Sequence, residues 1–210
     1  MMGSGDHTAP AQGWLRAPTG PARDIAHAIC APVPIFTTAR LLLRASLITD
    51  YPAYEAVFLS DRAKYMGGPF TAEGAFADFC QGVAGWALRG AGMWTISARG
   101  GNDAPLGWMY LWQEMGDPEP EMGWVLTAEA EGKGFAREAA FAVLPHAVQI
   151  FGPQRFVSYV DAGNDRSARL ALDLGAVRDT QAETQMAALG KADLHVYRHS
   201  GQPSQRSARL

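Results

Sequence analysis

The stretch from Glu121 to Ala140, EMGWVLTAEAEGKGFAREAA, limits the possible folds of this chain more than any other. A short apolar strand runs through Met122–Leu126, followed by an acidic turn and the loop Glu131-Gly132-Lys133-Gly134-Phe135-Ala136. An alanine-rich helix begins immediately afterwards. Glycines at a strand-to-helix turn let a ligand approach the backbone, because no Cβ stands in the way. The unpaired N–H groups of the first helical turn, together with the helix dipole, attract an anion such as a pyrophosphate. A cofactor that carries phosphates is the first expectation.

Composition narrows the class. With 210 residues, 48% hydrophobic and 19% charged, the chain has the makings of one soluble domain with a sizeable core. A net charge of −3 leaves no electrostatic footprint for nucleic acid. Cys30 and Cys80 are the only cysteines, so a disulfide framework is not expected and a reducing cytoplasm fits better. No apolar run approaches the roughly 18 residues of a membrane span.

Residues 1–35 read as a flexible extension, since Ala, Gly and Pro fill 16 of those 35 positions without a sustained period. The leading MMGSGDHTAP lacks the basic start and apolar centre of a secretory signal. Ile25–Cys30 is a candidate helical turn. Residues 201–210 form a polar tail, which leaves 36–200 as the working domain.

Within that domain the expected order is strand, two helices, three strands, helix, strand, helix and two strands. Arg40–Arg44 is extended, and Thr49 or Asp50 caps a helix through Tyr54–Leu59 with Pro52 in its first turn. Thr71 to about Leu88 carries Ala75, Phe76, Phe79, Val83 and Trp86 at helical spacing. Met93–Ala98, Leu106–Trp112 and Met122–Leu126 read as a meander joined by Gly100-Gly101-Asn102-Asp103 and Gly116-Asp117-Pro118. Pro145 should kink the alanine-rich helix or end its regular part. Arg155–Asp161 is a strand, Asn164 caps the next helix and Gly175 closes it. Val177–Gln185 and Leu194–His199 are expected to pair as a final hairpin.

Four segments, in this order, resemble the GNAT N-acetyltransferase superfamily, and in particular its ribosomal-protein N-terminal acetyltransferase branch. Arg40-Leu41-Leu42-Leu43-Arg44, with Thr38 before it, is similar to the opening TxRLxLR strand. Glu121-Met122-Gly123-Trp124 is similar to the ELGY-like fourth strand. Gly132-Lys133-Gly134-Phe135-Ala136 resembles the pyrophosphate loop, and Asn164 to Ala176 resembles the NxxSxRLxxxLGF helix. The similarity spans residues 36–200 and implies an α/β fold of the α+β kind. About seven mostly antiparallel strands would splay between the fourth and fifth, flanked by about four helices.

The resemblance also implies a reaction and a site. Acetyl-CoA would be the co-substrate, with no metal, and a primary amine on a protein N-terminus or a small molecule would attack it directly in a ternary complex. Met122, Gly123, Trp124, Val125 and Leu126 would hold the pantetheine arm as an added strand. Glu131, Gly132, Lys133, Gly134, Phe135, Ala136 and Arg137 would hold the pyrophosphate, with Asn164 and Arg169 completing the cofactor contacts. Glu121 would be the base and Ser167 the acid. A carboxylate near its ordinary pKa of ~4 is a weak direct base, so action through a water is expected. No nucleic-acid or membrane partner is implied, and the chain would be a monomer or homodimer.

Two departures stand out. Glu131 sits where the family loop often has Gln or Arg, and an unscreened carboxylate would repel a pyrophosphate. Ala171 replaces a tyrosine that many members carry. Both keep open the alternative of a non-catalytic GNAT-fold acyl-CoA sensor or scaffold. Plainer structural readings also exist: Gly132 and Gly134 as a tight turn, Ser167 and Asn164 as helix-start residues, and Glu121 as a solvated strand end. The tryptophans Trp86, Trp94, Trp108, Trp112 and Trp124 read as core or cleft lining. Cys80 reads as a small hydrophobe near the buried face of its helix. His146 reads as solvent-facing or local packing, and His195 and His199 lack partners at metal-ligand spacing. Acceptor choice should lie in the first two helices and in Met66-Gly67-Gly68-Pro69-Phe70.

Overall fold

The strand and helix periods of the sequence become one open sheet covered on both faces. The computed structural model describes residues 13–201. Its elements are α1 (Gly20–Cys30), β1 (Phe36–Thr37), β2 (Leu41–Ala45), α2 (Tyr51–Phe58), α3 (Ala72–Arg89), β3 (Met93–Ala98) and β4 (Pro105–Trp112). They continue with β5 (Glu121–Leu126), α4 (Phe135–Phe151), β6 (Val157–Asp161), α5 (Asp165–Asp173), β7 (Val177–Arg178), α6 (Thr180–Ala188) and β8 (Leu194–Arg198). The eight strands run in the order β1-β2-β3-β4-β5-β6-β8-β7. All neighbouring pairs are antiparallel except β5 and β6, which meet in parallel at the single pair Glu121↔Val157. Beyond that pair the two strands diverge.

Strand alternation sorts the core into two layers. Met109, Leu111 and Met122 face α4, where Ala139, Ala140, Val143, Leu144 and Ala147 form the stripe that covers them. Trp108, Tyr110, Trp112 and Val125 face the other way, against Tyr51, Tyr54, Phe58 and Phe79 of α2 and α3. The helix α4 continues through Pro145 to Phe151, because inward-facing residues on both sides of the exposed proline hold it on the sheet. The second arginine of the opening strand has a structural task. Arg44 pairs bidentately with buried Asp50, at 2.7 and 2.9 Å, and Thr95 donates to the same carboxylate at 2.8 Å. That network ties the entry of α2 to β2 and β3.

Several expectations change. Among the described residues the strands number eight, because Phe36–Thr37 pairs with β2. Among the described residues six α-helices form rather than about four, the additions being α1 and α6. The final hairpin keeps only Val177–Arg178 opposite Tyr197 and Arg198. Asp179 then caps α6 by accepting the Ala182 N–H at 3.0 Å, and Ala182 and Met186 pack one turn apart on Val157 and Val196. Cys80 is exposed, one position off the face defined by Ala75, Phe79 and Gly82. His146 is half-buried, its ring 5.5 Å from Phe36 and 6.0 Å from Trp94.

Residues 1–12 and 202–210, with most of the expected tail, lie outside the described residues. The rest of the supposed extension carries α1, which buries no residue, and a tryptophan in contact with the body. The Trp14 ring meets Phe76 edge-on at 4.9 Å. Val33 belongs to the core, and the Pro34 carbonyl accepts from Trp94 Nε1 at 2.7 Å. No described helix is long and apolar enough to cross a membrane.

Candidate active site

The parting of β5 from β6 opens a cleft of about 420 Å³. Glu121, Met122, Gly123 and Trp124 line one side, with Ser158, Tyr159, Val160 and Asp161 opposite, and Asn164 and Ser167 at the start of α5. The crotch is pinned by hydrogen bonds. Val157 N–H donates to Pro120 O at 3.0 Å, and Ser158 Oγ donates to Met122 O at 2.5 Å. His199 is buried against Phe156 with Nε2 2.9 Å from Ser158 Oγ, so Nε2 is the donor there. Burial pushes His199 down to about 4, which keeps it neutral. Peptide groups alternate sides along a strand, so Trp124 presents its N–H and C=O to the gap where an extended amide-bearing ligand can pair. Val125 is buried in the opposite layer, and Leu126 O accepts from Arg62 at 3.4 Å.

Glu121 occupies the last paired position before the splay. Gly123 keeps the space beside it free: a Cβ there would lie 3.4 Å from Glu121 Oε1 and 3.6 Å from the Tyr110 ring. Burial first, then repulsion from Glu114 and Asp117, pushes the Glu121 carboxyl up to about 8, against the opposing pull of the Tyr159 amide and Lys191. The carboxyl is therefore a far stronger base than the ordinary value near 4 implies, and direct proton removal becomes chemically reasonable without an intervening water. Ser167 is half-buried in the first turn of α5, and its N–H donates to Asn164 Oδ1 at 3.3 Å. Ala171 is fully buried in the core and does not line the cleft.

The glycine loop lies at the N-terminus of α4. Gly132 and Gly134 have φ of +72° and +76°, a region that disfavours side chains, and a Cβ on Gly132 would meet nothing within 4 Å. The space above the loop is open to a ligand. Thr38 and Arg40 set the loop's orientation. Arg40 Nη1 donates to Lys133 O at 2.9 Å, while Arg40 Nε and N donate to Glu138 at 2.6 and 3.0 Å and Thr38 Oγ1 donates to it at 2.5 Å. With that carbonyl turned towards Arg40, the N–H groups of Phe135, Ala136 and Arg137 remain the unpaired donors of the first turn. Unpaired amides, open space and positive-φ glycines together fit a pyrophosphate.

Glu131 does not confront that site as a free charge. Arg62 and Arg166 both pair with it, Arg166 Nη1 at 3.0 Å. Arg137 meets Asp173 at 3.5 Å and stacks on Phe141, with its guanidinium carbon 4.5 Å from the ring centroid. Arg169 is exposed on α5 and does not line the cleft. The structure thus gathers Glu121 to Trp124, Asn164 and Ser167 in the cleft, and the Glu131–Arg137 loop beside it. Of the expected acceptor loop, Met66 and Gly67 line the cleft. Sequence reading missed Asp78, Tyr110, Glu114 and Asp117, which line it too. Asp117 and its neighbours read as turn formers, and nothing in one chain signalled that α3 and the β4–β5 connection converge. Among the described residues there is no cluster of metal-ligating side chains.

Known proteins are similar to this chain in sequence and in fold. The family model described as an acetyltransferase (GNAT) domain matches residues 40–177. The uncharacterized N-acetyltransferase YnaD of Bacillus subtilis is 30% identical over 145 residues, covering 68% of this chain and 82% of that protein. The crystal structure of an acetyltransferase from Agrobacterium tumefaciens is 31% identical with a TM-score of 0.71, covering 80% of this chain and 94% of that one. RimL, a ribosomal L7/L12 alpha-N-protein acetyltransferase solved in complex with coenzyme A, shares the fold at 18% identity and TM-score 0.58, over 78% of this chain and 96% of its own.

Proposed function

Because the chain belongs to the GNAT acetyltransferase family and is an acyltransferase, we propose that it moves an acetyl group from acetyl-CoA to a primary amine by direct attack in a ternary complex. The observation that carries this reading is the cleft at the β5–β6 splay, where Glu121 and Ser167 line one cavity, with the glycine loop at the start of α4 as the proposed pyrophosphate site. Acetyl-CoA supplies the activated thioester. The amides of Phe135, Ala136 and Arg137 hold its pyrophosphate, aided by Lys133, and the free edge of β5 at Trp124 aligns its arm. Glu121 takes the proton that the acceptor ammonium must lose before it becomes a nucleophile. Ser167 Oγ donates a hydrogen bond to the departing sulfur, with Asn164 fixing the helix start that carries it.

The acceptor in this reading is a protein N-terminus, as in the ribosomal-protein branch, or a small-molecule amine. Two free cysteines support a reducing cytoplasm as the place of action. The protein acts as a monomer or homodimer. Thermal shift with acetyl-CoA followed by a thiol-release assay over an amine panel tests the reading. Stabilisation with turnover is the expected result. Stabilisation without turnover on any amine, N-terminal peptides included, would replace it with an acyl-CoA sensor.

A further inference from the structure

The acceptor end of the cleft is crowded with carboxylates from three separate elements. Asp78 comes from α3, Glu114 and Asp117 from the β4–β5 connection, and Glu121 from β5, all lining the same cavity. Lys191 is the single cation in that lining, and it is spent on Asp117 at 2.8 Å. Asp78 accepts from Tyr54. The Glu114 carboxylate makes no hydrogen bond or ion pair among the described residues, and half-burial denies it full solvation. Burial and then the charges of Asp78 and Asp117 push it upward, against a weaker pull from Lys191. Tyr110 adds an independent mark. The residue is 2% exposed, it lines the cleft, and its hydroxyl, near that of Tyr54, makes no hydrogen bond of good geometry among the described residues.

Carboxylates partly withdrawn from water and left to repel one another are costly, and these share their cavity with Trp112 and Phe58. A single ammonium at Glu121 would leave Asp78 and Glu114 with no cation in contact. We propose that the acceptor is a dication: one amine is acetylated at Glu121, and a second ammonium, a short aliphatic chain away, lies against Asp78, Glu114 and the Tyr110 hydroxyl. The aliphatic segment lies along the aromatic walls, where its methylenes and ammonium are both accommodated. This inference rests on the acetyl-transfer reading and names its substrate class. A free diamine and an N-terminal residue followed by lysine share this chemistry.

The test compares kcat/KM for 1,4-diaminobutane with butylamine, and for a short peptide beginning Ala-Lys with one beginning Ala-Ala. A second ammonium bound by carboxylates should favour the dicationic member by about 10–100-fold. Whichever dication leads identifies its source. Asp78→Asn and Glu114→Gln should each raise KM for the preferred dication about tenfold, with kcat held within about threefold. Acetyl-CoA thermal shift verifies that each variant folds. Glu114→Gln keeps the test alive if Asp78→Asn, which strands the Tyr54 hydroxyl, does not. Equal kcat/KM within both pairs would overturn the dication while leaving acetyl transfer intact. If no amine turned over, the transfer reading would fall, and calorimetry with 1,4-diaminobutane against butylamine would decide the site alone, with equal or absent binding overturning it.

Discussion

At the scale of the residue, Glu121 as the proposed base should set both rate and pH dependence. A base must be ionised, so kcat/KM should climb roughly tenfold per unit below pH about 8 and level off above it. Glu121→Gln should lower turnover ~10²-fold and remove that limb, while Ser167→Ala should lower turnover by a similar ~10²-fold with the limb retained. Acetyl-CoA affinity should stay near normal in both. Full activity in both variants on a verified acceptor would sink the assigned roles. The same carboxyl affects stability with a definite sign. Its folded-state value is raised from an ordinary 4.5 to about 8, so the stability it contributes is complete below about pH 4.5 and is lost as pH rises through 8. Glu121→Gln should accordingly raise the melting temperature at pH 8 more than at pH 5. Gly134 is the other decisive residue. At φ +76° a branched side chain is strained and would crowd a pyrophosphate bound at the loop, so Gly134→Val should abolish acetyl-CoA binding, whereas Lys133→Ala should weaken it only modestly. Calorimetry that found Gly134→Val binding normally would show that the loop is not the pyrophosphate site.

At the scale of the element, the opening strand and the glycine loop form one device. Partial burial pushes the Glu138 carboxyl up, and the bonds from Thr38 and Arg40 outweigh it, holding Glu138 below its ordinary value. Arg40 thereby joins the start of β2 to the first turn of α4 and, through Lys133 O, to the loop itself. Glu138→Ala should cost about 1–2 kcal/mol of stability, since the pair is partly exposed. It should also weaken acetyl-CoA binding about tenfold by releasing the loop, which titration calorimetry would reveal; unchanged affinity would confine the clamp to stability. The resemblance included Thr38 and Arg40 without a reason for them, and this contact supplies one. The terminal segments were misread for a related physical cause. Val177 and Arg178 do extend, but Asp179 is a good cap and Ala182 and Met186 fall at helical spacing, so a helix was available within the expected strand. Packing against Val157 and Val196 chose it.

At the scale of the whole molecule, the N-terminal segment shows how a boundary follows contacts rather than composition. A chain starting at Val33 keeps Val33 in the core and the Pro34–Trp94 bond, and loses mainly the Trp14 contacts with Tyr51 and Phe76. Aromatic pairs of this kind contribute ~0.5–1.5 kcal/mol each. The melting temperature should therefore fall by only about 2–12 °C, with acetyl-CoA affinity preserved. A chain starting at Phe36 should lose much more, because it leaves Trp94 Nε1 unpaired in the core and opens a cavity at Val33. Equal losses from the two truncations would mean that the whole stabilisation resides before Val33.

The sequence by itself determined the meander, the covering helix and the glycine loop, because each rests on periods and turn chemistry written within a few neighbouring residues. Glu121, Gly132, Gly134, Asn164 and Ser167 were legible as candidates for that reason, as members of local motifs. Only the tertiary structure decided what surrounds them. Glu131 is held by Arg62 and Arg166, from segments far away along the chain in both directions. Glu121 owes its raised pKa to burial and to Glu114 and Asp117, which a turn of the chain brings close. Asp78 reaches the same cavity from a helix that the sequence described only by its apolar stripe. Charge interactions depend on distance and on exclusion of water, and neither is encoded in local spacing. The sheet must form, and β5 must part from β6, before these carboxylates share one cleft.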